Sequence, residues 1–155
     1  MERDPLSLLE KLGRCGVYCG QCRAYHREVP EAASALRKRI LEDFSYMKEE
    51  KDVFDFENLI KALDYFTALE GCGCRGRTHD WCDVKKCPKI QQNEIDNCLI
   101  CDEFDECERT DYVRNRYSYL FNHRKTIQEK GLDEFLEKQE ERSKAGVRLS
   151  DIRDY

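Results

Sequence analysis

Residues 71–107 read GCGCRGRTHDWCDVKKCPKIQQNEIDNCLICDEFDEC, and this stretch decides the fold. It holds seven of the ten cysteines. Between Gly71 and Asp105 hydrophobic periodicity disappears, and Gly71, Gly73, Gly76, Pro88 and Asn97 mark turns. Cysteines stand where apolar residues would otherwise recur. A loop of this length, unsupported, orders poorly. Sulfur chemistry must therefore supply what hydrophobic burial does not.

Outward from that loop the pattern is helical. Pro30 to about Glu50 reads as one helix, with Ala33, Leu36, Ile40, Phe44 and Met47 as its apolar stripe. A second runs from about Phe54 to Glu70, with Phe56, Leu59, Ile60, Leu63 and Phe66 on one face and Gly71 as its stop. These two are expected to pair as a hairpin. Beyond the loop a third helix spans about Thr110 to Lys130. Val113, Tyr117, Leu120, Arg124 and Ile127 share its face, and Gly131 ends it. Leu132, Phe135 and Leu136 open a last short helix, expected to fade into a solvated Glu137–Lys144.

The fold class is thus mainly α. A helical hairpin and a long C-terminal helix pack around a cysteine-rich, metal-stapled irregular loop. At most short β ribbons are expected, at Gly16-Val17-Tyr18 and Trp81–Val84. One domain is expected over residues 1–144, with its metal loop at 71–108 and a flexible tail at 145–155.

Charge narrows the function. A net charge of −5 argues against nucleic acid, which needs a basic face. Arg75, Arg77, Lys85, Lys86 and Lys89 read as a solvated basic loop that would lower nearby thiol pKa values. No run approaches the roughly 18 apolar residues that span a membrane. No targeting segment is visible near Met1, so the expected compartment is the cytoplasm. Reduced thiols clustered there point to metal or redox chemistry, with disulfides as the alternative.

Zinc takes four soft ligands at tetrahedral corners. Cys19-Gly20-Gln21-Cys22 and Cys98-Leu99-Ile100-Cys101 have the C-x-x-C spacing that turns two thiolates toward one ion. One or two zinc ions are expected. Cys15, Cys19 and Cys22 would share one, completed by Cys72 or Cys74. Cys82, Cys87, Cys98 and Cys101 would share another, with Cys107 as competitor. His26 and His79 lie near these cysteines in sequence, although surface histidines are the ordinary reading.

An iron–sulfur cluster is the alternative cofactor, because thiolates serve iron as well as zinc. Cys15-x-x-x-Cys19-x-x-Cys22 also matches the radical S-adenosylmethionine spacing, but without the strand–helix repeats or the aromatic residue where Gln21 stands. A thiol–disulfide pair at Cys19 and Cys22 likewise lacks its strand–helix context. Tyr112, Tyr117 and Tyr119 read as core and rim, and Asp102–Glu108 as a solvated acidic patch.

Cys15-Gly16-Val17-Tyr18-Cys19-Gly20-Gln21-Cys22-Arg23-Ala24-Tyr25 resembles the opening "CGLDCxxCPAY" of a cysteine-rich prokaryotic family, domain of unknown function 3795. Gly73–Gly76 is similar to its "GCRG", Cys82–Cys87 to "CxIRKC", Asn97–Cys107 to "NCxxCxDFPC", and Ile127–Gln139 to "IxxxGLxEWLxEQ". The resemblance implies a helical, zinc-binding-like protein and no particular reaction. The expected role is a small metal-binding protein whose metal supports a surface for a protein partner or small molecule. The alternative is an iron–sulfur or thiol-based redox protein or enzyme.

Overall fold

A computed structural model describes residues 8–50, 53–70, 75 and 82–152. The named helices are α1 (Glu28–Asp43), α2 (Phe56–Thr67), the single turn α3 (Pro88–Gln91), α4 (Asp111–Arg116), α5 (Leu120–Lys130) and α6 (Leu132–Lys144). Short 3-10 turns lie between them. Among the described residues there is no strand, only an isolated antiparallel bridge between Leu12 and Tyr18. The mainly helical expectation therefore holds. Of the two ribbon candidates, the first keeps that single bridge. In the second, Asp83–Lys86 is a 3-10 turn and Trp81 lies outside the described residues.

The chain divides into two compact units: residues 23–71, and residues 1–22 with 72–155. The 23–71 unit is the hairpin of α1 on α2. Asp55 caps α2 by accepting the Asn58 amide at 3.0 Å, which satisfies one of the orphan donors of the first turn. Pro30, Ala33, Phe56 and Leu63 are its buried residues on the two helices. The helix expected over 30–50 stops at Asp43. Phe44 leaves helical geometry (φ −125°, ψ 15°), and Ser45–Glu49 continues as a 3-10 turn. Leu36 and Phe44 consequently stand half exposed instead of in the stripe, because two crossing helices bury only a narrow seam.

The other unit has its core where Leu12, Val17 and Tyr18 meet Leu99, Phe104, Leu120, Phe135 and Leu136. The helix expected over 110–130 is two helices. The chain turns at Tyr117 (φ −131°, ψ 71°), which sends Tyr119 and Leu120 fully inward. Gly131, at φ +89°, separates α5 from α6 as its position in the sequence suggests.

The stretch expected to fade into solvent instead completes α6. Gln139, Glu140 and Ser143 are buried on it. Glu140 accepts 2.9 Å bonds from Lys11 and from the Tyr18 hydroxyl, and Ser143 donates to the Gly20 carbonyl. Burial pushes the Glu140 carboxyl up, but the bonds from Lys11 and Tyr18 outweigh it and hold it below its usual range. The segment expected as a tail carries a last 3-10 turn at Leu149–Ile152, with Ile152 buried in the same core.

Candidate metal centre

Every described cysteine sits in or beside a 3-10 turn, or in the loop that leads into one. Cys19–Gln21 is closed by the Cys22 amide donating to the Cys19 carbonyl at 2.9 Å. Cys98–Ile100 is closed in the same way from Cys101, at 3.1 Å. With three residues per turn, positions i and i+3 eclipse. Each C-x-x-C thus spans one such turn, with its first cysteine opening the turn and its second at the C-cap. Cys82 and Cys87 flank the turn Asp83–Lys86, and Cys107 precedes Glu108–Thr110.

The first of the two C-x-x-C turns follows a tight loop. The Gly13 amide donates to the Val17 carbonyl at 2.8 Å. A Cβ on Gly13 would lie 3.4 Å from both the Cys15 and the Cys19 sulfurs, so the glycine leaves these two thiols facing a shared space. The second turn is capped by fully buried Asn97, whose side-chain oxygen accepts the Leu99 amide at 3.0 Å.

These two segments dock on each other. The Cys98 amide donates to the Arg14 carbonyl at 2.7 Å. Gly16, at φ +93°, lies so close to Leu99 that a Cβ there would fall 2.4 Å from Leu99 Cγ. Burial pushes the Cys98 thiol well above the ordinary range, and Cys15, Cys87, Cys107 and Cys101 add to the shift.

Charged side chains brace the turns from outside. Arg75 forks onto Asp96 with bonds of 2.9 and 2.6 Å, and it also donates to the Leu12 carbonyl. Arg14 reaches the Asp96 carboxylate at 3.0 Å. Burial pushes the Asp96 carboxyl up, but the hydrogen bonds from Arg75 and Asn97 and the charges of Arg75 and Arg14 prevail and lower it. Arg75 is thus a structural tie and not part of a solvated loop. Lys89 pairs with Glu103 at 2.9 Å, and that bond holds its pKa above the ordinary lysine value. Arg114 donates to the carbonyls of Phe104, Asp105 and Cys107, and Thr110 grips Phe104 and Cys107 as well.

Arg124, which periodicity places only on a helix face, has a larger role. It is buried, its guanidinium lies over the Phe104 ring, and it donates to the Leu99 and Cys101 carbonyls. Arg124→Ala is expected to cost about 2 kcal/mol, since charged hydrogen bonds to buried carbonyls are lost. Urea unfolding measures it. An unchanged midpoint would show that these carbonyls do not depend on the guanidinium.

The ten candidate ligands thus separate as follows. Cys82, Cys98 and Cys101 are buried, and Cys15, Cys19, Cys22, Cys87 and Cys107 are half-buried. Cys72 and Cys74 lie outside the described residues. Among the described residues no sulfur–sulfur bond links two cysteines, and no three Cys, His, Asp or Glu side chains are drawn into a closed ligand group. The Cys82 sulfur lies 3.4 Å from the Tyr112 hydroxyl. His26 is exposed, edge-on to Tyr25, and His79 lies outside the described residues. The bracing residues leave no spacing signal. Only Asn97, a turn former just before a C-x-x-C, stands out in the sequence.

Among the described residues no helix is long and apolar enough to cross a membrane. No curated protein and no solved structure matches the chain. One family model does, over residues 11–112, a span that contains all ten cysteines and both docked turns. By that match the chain belongs to the family described as protein of unknown function (DUF3795).

Proposed function

We propose that this chain is a small metal-binding protein whose thiolates hold zinc, and that the metal is structural. The observation that carries the proposal is the docking of the Cys15–Cys22 segment onto the Cys98–Cys101 turn, through Arg14 with Cys98 and Gly16 with Leu99. It brings the backbones of two cysteine-bearing stretches, distant in sequence, against each other. The donor set fits zinc, a borderline-soft ion that takes thiolates in closed structural sites.

A buried cation fits as well. Lys85 Nζ, in the turn between Cys82 and Cys87, is out of solvent and has no hydrogen-bond partner among the described residues. An unpaired buried ammonium is costly, and the net negative charge of a zinc–thiolate centre would compensate it. Cys15, Cys19, Cys22, Cys82, Cys87, Cys98, Cys101 and Cys107 are the described residues that would hold metal. Bound zinc would supply the cross-link that orders the cysteine-rich loop. Thiol ligands require a reducing compartment. The exposed Leu36, Phe44, Tyr46 and Tyr65 of the hairpin unit offer apolar area to a protein partner.

Elemental analysis of protein purified without added zinc tests the proposal. About one equivalent of zinc per chain or more is expected, and removing it with a chelator should loosen the cysteine turns. Less than about one equivalent of any metal overturns it. A brown protein whose visible absorption fades on reduction assigns the thiolates to an iron–sulfur cluster instead.

A further inference from the structure

Resting on that metal-binding reading, we infer that Cys15 is a ligand of the ion held by the Cys98–Cys101 turn, so that one zinc pins the amino-terminal segment to the C-terminal half of its unit. Spacing alone assigns Cys15 to Cys19 and Cys22. The fold supports a set that crosses the two cysteine blocks.

The residues on both sides of Cys15 are fixed to the Cys98 turn. On one side the Arg14 carbonyl accepts the Cys98 amide at 2.7 Å. On the other, Gly16 lies against Leu99 with no room for a Cβ. A residue clamped at both flanks cannot drift from the turn that clamps it. Arg124 fixes that turn in its own right through the Leu99 and Cys101 carbonyls. Cys87 is tied to the same turn by geometry, since Lys89, two residues after it, pairs at 2.9 Å with Glu103, two residues after Cys101. Cys15, Cys98, Cys101 and Cys87 supply the four thiolates that a closed zinc site takes.

Cys19 is the natural control. Its sulfur shares the Gly13 space with Cys15, yet its thiol donates to the Val17 carbonyl at 3.7 Å, within its own loop. If Cys15 belonged with Cys19 and Cys22 alone, losing Cys19 would release it.

Thiol alkylation mapped by mass spectrometry on the zinc-loaded full chain tests the assignment. In Cys19→Ser, Cys15 should stay as protected as Cys98 and Cys101. In Cys101→Ser, its alkylation should accelerate about tenfold or more, as expected when a coordination sphere is broken. Cys15 becoming reactive in Cys19→Ser while Cys98 and Cys101 stay protected overturns the assignment and leaves the zinc reading intact. Wild-type protein that stays reactive at every thiol after zinc loading removes the zinc reading itself. Should Cys19→Ser not fold, chelator titration of the wild-type chain decides. Cys15 reacting in phase with Cys98 and Cys101 supports the assignment, and Cys15 reacting ahead of them with Cys19 and Cys22 overturns it.

Discussion

Gly16→Ala is expected to destabilise the cysteine-bearing unit by about 4 kcal/mol, read from urea unfolding. Two independent costs add. The backbone at φ +93° suits glycine, and an L-residue held there loses about 1–2 kcal/mol. The new methyl would also lie 2.4 Å from Leu99 Cγ and 2.8 Å from Cδ2, and such overpacking costs about 1–3 kcal/mol. Leu99 cannot move aside cheaply, because it is 1% exposed and its amide is held by Asn97.

The molecule supplies its own controls. Gly131 and Gly146 have nearly the same φ, +89° and +87°, and a methyl at either would meet nothing within 4 Å. Alanine at either should show the backbone cost alone. The difference from Gly16→Ala isolates the contact with Leu99, and Leu99→Ala in the Gly16→Ala background should recover part of it. If Gly16→Ala proves no worse than Gly131→Ala, the two cysteine segments are not docked as described, and the shared neighbourhood of Cys15 and Cys98 goes with them.

What is legible in the sequence follows physical range. The cap at Asp55, the stop at Gly131 and the two C-x-x-C turns are local, fixed by residues within a few positions of each other. The break at Tyr117 carries neither glycine nor proline. It follows from burying Tyr119 and Leu120, which only the assembled core imposes. Glu140 and Ser143 read as solvated because charge and hydroxyl usually are. Their partners Lys11, Tyr18 and Gly20 lie more than a hundred positions away, beyond any periodicity. The candidate site divides in the same way. Cysteine spacing identifies the knuckles, but the association of Cys15 with Cys98 rests on one backbone hydrogen bond and on the lack of a side chain at Gly16. Neither leaves a trace in spacing.

The same core contains a titratable group that the cysteines do not need. His123, on α5, is buried with its ring centroid 4.8 Å from that of Tyr119 and 5.0 Å from that of Phe135. Its Nδ1 has no hydrogen-bond partner among the described residues. Burial, with the positive charge of Arg142 adding to it, lowers its pKa from 6.5 to about 4. The folded state therefore resists a proton that the unfolded chain takes up readily. Above about pH 6.5 both states hold a neutral imidazole, and the site contributes nothing to pH dependence. As the pH falls from about 6.5 toward about 4, only the unfolded chain gains the proton, and folding loses stability progressively. The full loss is on the order of 3 kcal/mol. Carboxylates titrate in the same acid range, so the useful quantity is a difference. His123→Leu keeps an apolar group between the two rings and removes the proton site. Its stability relative to wild type should rise by about that amount between about pH 7 and about pH 4, measured by urea unfolding in steps of pH. Parallel curves for the two proteins would mean that the imidazole is protonated equally in both states, and that its place between Tyr119 and Phe135 is open to water.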